Sequence, residues 1–190
     1  MSHNFLFNAS FHLLLNSIDQ ELAIKAQKQG CLYCGNKLHQ ANYPRSPVGL
    51  LPRFRHYYDE RLSFCCDTCR KRTTPQSVRF FGRRWYPAPL LMLVSALMIG
   101  INERRLKQVK QHFGIVVSES TWKRWRRWWR ESFIATQFWR KEKGLVPTVT
   151  ETKKILPRAL LNVFQGVLEE KMFYLLRFFS PLTGGVLRAV

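Results

Sequence analysis

Two short cysteine motifs decide the fold of this chain: Cys31-Leu32-Tyr33-Cys34 and Cys66-Asp67-Thr68-Cys69. In each motif two residues separate the cysteines, so that a tight turn brings both thiols to one side. Two such turns supply four sulfur ligands, enough to enclose a tetrahedral zinc ion at Zn–S distances of about 2.3 Å. We therefore predict a Zn²⁺ ion bound by Cys31, Cys34, Cys66 and Cys69, around which residues 31–86 fold.

The ligand set has alternatives within the same segment. Cys65 directly precedes Cys66 and would replace it if three residues separated the cysteines of the second motif. His39 and His56 lie between the motifs and carry nitrogen donors that zinc accepts. A redox pair or unlinked thiols would also explain these cysteines. An ion enclosed by four cysteines has no open coordination position for water, so the zinc is expected to be structural.

The charge of the chain indicates a polyanionic partner. Its 190 residues include 31 lysine and arginine residues against 12 acidic ones, a net charge of +19. Self-repulsion on this scale opposes a compact fold unless a polyanion is nearby. The longest apolar stretch, residues 90–101, is shorter than the roughly 20 residues of a membrane span. The N-terminus lacks the features of a signal peptide. We predict a cytoplasmic, nucleoid-associated protein without a membrane partner.

Hydrophobic periodicity and helix-breaking residues divide the chain into five segments. Residues 1–30 are predicted to form an N-terminal helix that ends at Gly30 and covers the metal module of residues 31–86. Within that module, residues 53–64 and 77–86 are predicted strands. Residues 87–143 are predicted to be helical, residues 144–157 a linker, and residues 158–190 a C-terminal helix. The expected fold class is α+β, mostly α.

The helical segment has the order of a helix-turn-helix. A buried helix starts near Pro87, and a second helix follows Asn102 and stops at Gly114. A third helix, capped by Ser118 or Ser120, runs to about Phe133. At 100° per residue, one arc of roughly 160° on the third helix holds its aromatic residues and Ser132. The opposite arc is cationic and consists of Lys123, Arg124, Arg126, Arg127 and Arg130.

An arginine-rich helix face suits the major groove of DNA, where arginine binds guanine O6 and N7 together. The early residues of the second helix of a helix-turn-helix contact base edges. The candidates here are Ser118, Ser120, Thr121, Lys123, Arg124 and Arg127. Candidates for phosphate contacts are Arg104, Arg105, Lys107 and Lys110 on the preceding helix, and Arg70, Lys71, Arg72, Arg79, Arg83 and Arg84 near the second cysteine motif.

Catalysis is not expected. Metal-dependent DNA cleavage needs several carboxylates that converge on divalent ions. The only aspartates are Asp19, Asp59 and Asp67, and none follows an apolar strand that would present it in a core. The sequence also has no phosphate-binding glycine loop and no motif of a hydrolase nucleophile.

Residues 62–86, with the motif Cys66–Cys69 and the continuation Arg70-Lys71-Arg72-Thr73-Thr74-Pro75, resemble the zinc-ribbon segment of bacterial insertion-sequence transposases and their accessory DNA-binding proteins. Such proteins often place a helix-turn-helix after the ribbon, and the resemblance extends over about residues 31–134. It implies a zinc-ribbon hairpin, metal ligands at the four cysteines, and binding to double-stranded DNA at the ends of a mobile element or a related operator. Those transposases continue into a catalytic domain with three acidic residues, which this sequence lacks, so an accessory or regulatory role is expected.

Two other functions fit parts of the sequence. In a protein-interaction adaptor, the ribbon would be a docking platform and the apolar residues of 158–179 would pair with a partner helix. In an RNA-binding protein, Phe80, Phe81, Trp85 and Tyr86 would stack on unpaired bases. A separate transposase or other protein subunit and a homodimer are further partners that the DNA-binding interpretation allows.

Overall fold

The computed structural model describes residues 4–81, 86–97, 104, 107, 110–111, 116–145 and 156–184. Within these residues the protein is mostly helical with a small antiparallel sheet, which confirms the predicted fold class at that level. Predictions for Arg83, Arg84 and Arg105 lie outside the described residues. The chain forms two compact units, Met1–Pro89 with Leu176–Arg188, and Leu90–Leu175 with Ala189–Val190.

The first unit begins with a 3₁₀ turn (Asn4–Phe7) and helix α1 (Ala9–Gln29). The side chain of Asn8 caps α1 by accepting a hydrogen bond from the Ser10 N–H. Gly30 ends the helix with a φ of 77°, and a β-carbon there would lie 2.6 Å from the Gly35 carbonyl oxygen. Glycine is therefore required at this stop, as the sequence predicts. Ala23 of α1 packs with Cys31, Leu38, Phe64 and Cys66, so the helix covers the cysteine module.

The cysteine module contains two small antiparallel sheets. One has the strand order β1 (Leu38–Gln40), β4 (Phe64–Cys66) and β5 (Arg72–Thr73), and the other pairs β2 (Tyr43–Pro44) with β3 (Glu60–Arg61). Leu38 pairs with Cys66, and Phe64 with Thr73. The predicted strand over 53–64 is wrong in its first half, because Pro52–Tyr57 form a 3₁₀ helix with proline in its first turn. Only Phe80 of the predicted strand 77–86 forms a described bridge, with Pro87.

A buried ion pair joins α1 to the segment after the second cysteine motif. The Asp19 carboxylate accepts hydrogen bonds from the Ser77 hydroxyl (2.5 Å), the Val78 N–H (2.7 Å) and Arg79 Nε (2.8 Å). Asp19 is fully buried and Arg79 is 4% exposed. Arg79 also donates to the Tyr57 carbonyl oxygen. The prediction that Arg79 contacts phosphate is therefore wrong, because its charge is used inside the protein.

The C-terminal part of the first unit packs on the same segment. Phe179 makes an edge-to-face contact with Phe81 at 6.1 Å between ring centroids. The Ser77 N–H donates to the Thr183 hydroxyl at 2.6 Å, and the Ser180 hydroxyl donates to the Gln76 side-chain oxygen at 3.2 Å. Residues 179–183 thus complete the packing of residues 76–81.

The second unit is built from helices. Helix α2 (Ala88–Leu97) follows Pro87 and is buried at residues 90–94 and at Ala96, which confirms a buried helix. Four further residues are helical and exposed: Arg104, Lys107, Lys110 and Gln111.

Helix α3 (Glu119–Arg127) continues into a π-helical turn (Trp128–Ser132) and a short α4 (Phe133–Ala135), and α5 (Gln137–Glu142) follows Thr136. Trp129, Phe133 and Trp139 form the aromatic centre of the second unit, with neighbouring ring centroids 5.0–5.1 Å apart.

The predicted C-terminal helix is interrupted. Two helices, α6 (Arg158–Val163) and α7 (Leu168–Phe179), are separated by Gly166 at a φ of 100°, and a 3₁₀ turn (Ser180–Thr183) follows. Most of the predicted linker lies outside the described residues. Among the helices described, none is both long enough and apolar enough to cross a membrane.

Replacing Asp19 with asparagine is expected to destabilise the protein by about 3–5 kcal/mol, because it leaves the Arg79 guanidinium buried without its counter-charge. Equilibrium urea unfolding measures the change. Glu119→Gln is the control, because the Glu119–Lys123 pair is exposed at both ends and an exposed pair contributes about 0–1 kcal/mol. Equal effects of the two substitutions would contradict the structural role of the Asp19–Arg79 pair.

A second prediction concerns His12, which is 1% exposed between the Tyr58 hydroxyl (2.9 Å from Nδ1) and the Leu6 carbonyl oxygen (3.0 Å from Nε2). Burial lowers its pKa below the ordinary 6.5. In acid the unfolded chain therefore binds more protons than the folded protein does. The contribution of neutral His12 to the free energy of unfolding is complete above pH 6.5 and is lost as the pH falls through the pKa of the folded state. Urea unfolding of the wild type should show a steeper loss between pH 7.5 and 5 than His12→Gln. Parallel losses would exclude this group as a cause.

Candidate metal centre and nucleic-acid interface

The four cysteines of the two motifs converge in the first unit. Their sulfur atoms all lie within 4.8 Å of one another. The Cys31 and Cys69 sulfurs are 3.4 Å apart, and those of Cys34 and Cys66 are 3.5 Å apart. A tetrahedral ion with metal–sulfur distances of about 2.3 Å would hold its ligands about 3.8 Å apart. A disulfide needs about 2.05 Å. The set therefore fits a metal ion, and all five cysteines are free thiols.

Turn geometry explains why these thiols meet. In the first motif the Gly35 N–H donates to the Cys31 carbonyl oxygen, and the Cys31 N–H donates to the Asn36 carbonyl oxygen, both at 2.8 Å. In the second motif the Cys66 N–H donates to the Lys71 carbonyl oxygen at 3.0 Å. The Cys69 N–H points to the Cys66 sulfur at 3.5 Å. The pairing of Leu38 with Cys66 then brings the second turn beside the first.

The electrostatics of the cluster favour a bound cation. The backbone N–H of Tyr33 is the largest cause that lowers the pKa of Cys31, to about 6. The Lys71 N–H lowers the pKa of Cys69, but burial and the neighbouring thiols raise it more, to about 12. Burial raises the pKa of Cys66. One thiolate forms easily and its neighbours resist a second negative charge, so that full deprotonation requires a cation among them.

The other ligands considered from the sequence lie outside the cluster. Cys65 lies next to Cys66 on β4, where successive side chains alternate between faces, and its thiol donates to the Arg70 carbonyl oxygen at 3.5 Å. His39 pairs with Asp67 at 3.6 Å on the surface. His56 packs on Tyr57 with ring centroids 3.9 Å apart. The cysteines that come together are therefore the two with x2 spacing in each motif.

Helix α3 separates its aromatic and cationic residues largely as predicted. Trp122, Trp125 and Trp129 are 2–4% exposed, while Lys123, Arg124, Arg127 and Arg130 are exposed. Ser118 is the N-cap, and its hydroxyl accepts from the Thr121 N–H at 3.2 Å. That hydroxyl also contacts the hydroxyls of Ser120 (3.1 Å) and Thr121 (2.9 Å), so these predicted base contacts are engaged in starting the helix.

Two positions of the predicted faces are wrong. Arg126 is half-buried, because it follows Trp122 by one helical turn and lies on the same side. Ser132, assigned to the aromatic arc, is exposed. Ser132 is the last residue of the π-helical turn Trp128–Ser132, whose rotation per residue a wheel at a constant 100° does not describe.

The basic residues near the second cysteine motif divide into exposed residues and residues whose side chains are hydrogen-bonded or buried within the protein. Arg70 and Lys71 are exposed, and the Lys71 ammonium lies 4.3 Å from the Tyr33 ring centroid. Arg72 is also exposed, but its Nη1 donates to the Ala41 carbonyl oxygen (2.6 Å) and the Ser63 hydroxyl (3.0 Å). Arg61, which the sequence reading did not select, is buried. Its burial has no local sequence signal, because it depends on contacts with residues distant in the chain.

Replacing Cys66 with serine should remove the bound metal and reduce the thermal stability of the protein, because a site with three thiolates has lost one of its converging ligands. Cys65→Ser is the matched control and should keep one metal ion per chain. Metal content by atomic emission and circular dichroism melts with and without a chelator measure both effects. Retention of metal by Cys66→Ser together with its loss from Cys65→Ser would reverse the ligand assignment.

Comparison with known proteins found no matching family model, no similar curated protein and no similar solved structure. The resemblance of residues 31–134 to transposase-associated modules therefore stays a prediction.

Proposed function

We propose that this protein is a zinc-dependent, sequence-specific binder of double-stranded DNA that acts in recognition or regulation at a mobile element and has no catalytic activity of its own. In this proposal Zn²⁺ is structural and is held by Cys31, Cys34, Cys66 and Cys69. The protein would act in the nucleoid, alone, as a homodimer, or beside a separate transposase subunit.

The observation that carries this proposal is the division of helix α3. Three buried tryptophans fix one side of the helix, while Lys123, Arg124, Arg127 and Arg130 face solvent on the other. Lys123 is partly neutralised by Glu119 at 2.8 Å, which leaves the arginines as the main charges of this face. The guanidinium group of arginine offers two parallel N–H donors, which fit the O6 and N7 acceptors of guanine in the major groove. The buried tryptophans hold the helix in place, and this fixes the positions from which the arginine side chains extend.

Zinc has a structural role in this proposal. Cys31 and Cys66 belong to the core cluster that also holds Ala23 of α1. Four thiolates without a cation would repel one another at the distances observed, so the packing of α1 on the ribbon depends on the ion. Exposed Arg70 and Lys71 beside the cluster, and exposed Arg104, Lys107 and Lys110 in the other unit, are proposed phosphate contacts.

The alternative functions receive less support. Phe80 is 1% exposed and Phe81 is 6% exposed, so neither ring is available to stack on an unpaired base. Met172, Leu175, Leu176 and Phe179 of α7 are buried within the protein. The apolar face that an adaptor would offer to a partner helix is therefore used internally at these positions.

Selection of binding sites from a random duplex DNA pool tests the proposal. Metal-loaded full-length protein is used at about 150 mM salt with nonspecific competitor, because phosphate contacts alone weaken steeply as salt rises. An enriched motif that is lost after chelation is the expected result. Binding without enrichment, or preference for single-stranded RNA at the same salt, would overturn it.

Arg124→Ala and Arg127→Ala should each weaken binding to the selected site by about 1–3 kcal/mol and relax sequence preference, if each arginine contacts a base. Fluorescence anisotropy with selected and scrambled duplexes measures the difference. Lys28→Ala, which removes an exposed charge from α1, is the control and should affect both duplexes equally and slightly. An equal loss on both duplexes for the arginine variants would assign those residues to phosphate.

A further inference from the structure

Three buried side-chain atoms with no hydrogen-bond partner belong to one corner of the first unit. They are Asn42 Nδ2, Arg61 Nη1 and Thr73 Oγ1, and a fourth such atom within the described residues, Ser95 Oγ, lies in helix α2. Amide, guanidinium and hydroxyl groups are all hydrogen-bond donors. Buried donors without partners are rare in folded proteins, and three from one neighbourhood need a common explanation.

Hydrogen bonds link these residues to one another's neighbours in the fold. The Ser63 N–H donates to Asn42 Oδ1 at 3.0 Å, and the Ser63 hydroxyl donates to the Thr73 carbonyl oxygen at 3.4 Å. Arg61 precedes Ser63 by two residues, and its Nη2 donates to the Pro75 carbonyl oxygen at 2.5 Å. The three residues therefore lie at the junction between the pair β2–β3 and the strands β4 and β5.

Arg61 gives this corner a positive charge that the described residues do not neutralise. Its side chain is 3% exposed, and no carboxylate of the described residues forms an ion pair with it. Burial lowers its pKa, and Asp19 acts against this. Asp19, however, is already bound by Ser77, Val78 and Arg79. A buried charge without a counter-charge carries a large free-energy cost.

Two more guanidinium groups lie close to the same corner. The Cζ atoms of Arg45, Arg61 and Arg79 are 5.5, 5.8 and 5.2 Å from the centroid of the buried Phe80 ring. Arg45 is half-buried, so it is the member of the group that solvent reaches. Arg79 is paired with Asp19. Arg61 and the half-buried Arg45 therefore lie near the same ring, in the corner that also holds Asn42 and Thr73.

We infer that Arg45, Arg61 and Thr73 bind one tetrahedral oxyanion of the phosphate or sulfate class. Such an anion accepts several charge-assisted hydrogen bonds at once and supplies the negative charge that Arg61 lacks. A buried water would satisfy the donors but leave the charge uncompensated. The anion is either a free ion or a phosphate of a nucleic-acid backbone. The inference is independent of DNA recognition by helix α3.

Isothermal titration of inorganic sulfate into the metal-loaded full chain tests this site. Sulfate replaces chloride at constant ionic strength, so that screening of the net charge stays the same. Saturable binding of one sulfate per chain is expected, and inorganic phosphate should compete with it after free metal has been removed. Absence of saturable binding in the folded protein would overturn the inference.

Thr73→Val is the decisive variant. If no anion binds, removing an unsatisfied hydroxyl should leave stability unchanged or increase it in both salts. If the anion binds as inferred, the apparent Kd for sulfate should rise about tenfold, and Arg45→Gln should raise it further. Ser95→Ala removes the unsatisfied hydroxyl of α2 and is the matched control, with no effect on sulfate binding expected. Unchanged sulfate affinity in Thr73→Val and Arg45→Gln would refute the site.

The same variants distinguish the two sources of the anion. If the anion is a backbone phosphate, Arg45→Gln should weaken binding of a duplex DNA, and sulfate should compete with that duplex more effectively for the wild type than for the variant. If it is a free ion, DNA affinity should be the same for both proteins while sulfate binding is weakened in Arg45→Gln. Either result supports the site and assigns its ligand.

Discussion

The convergence of four cysteine side chains on one point is the constraint on which the first unit depends. Their sulfur atoms lie within 4.8 Å of one another, and the pKa of Cys69 rises to about 12 as burial and its neighbours oppose ionisation. Helix α1, strand β1 and strand β4 all place residues in the same small core as two of these cysteines. A cation bound at the centre would cross-link chain segments that are distant in sequence.

Several features were predictable because their signals are local. The x2 spacing of the cysteines indicated the cluster, and the periodicity of apolar residues indicated α1. A continuous apolar run after Pro87 indicated α2, and the separate aromatic and cationic faces indicated α3. Gly30 was recognised as a helix stop, and Ser118 was one of two caps considered. The choice between Cys65 and Cys66 could not be made from spacing alone. It depends on the register of β4 against β1, which is a property of the folded sheet.

Other features were missed because they depend on contacts between distant residues. Nothing near Arg79 or Arg61 distinguishes these residues from the exposed arginines around them, yet both are buried. The Asp19–Arg79 pair joins residues 60 positions apart. A helical wheel with constant rotation likewise cannot describe the π-helical turn Trp128–Ser132, whose last residue, Ser132, is exposed. The positive charge of the chain is therefore only partly available to a partner, because Arg61 and Arg79 are buried inside the protein.

The hydrogen bond between Ser77 and Thr183 joins residues 106 positions apart. The contacts of Phe81 with Phe179 and of Gln76 with Ser180 join residues that are almost as far apart in the sequence. During synthesis, α1 and the cysteine module leave the ribosome long before residues 179–183 have been made. The packing of segment 76–81 in the first unit can therefore be completed only after those residues are available, and a nascent chain that ends before them lacks these contacts.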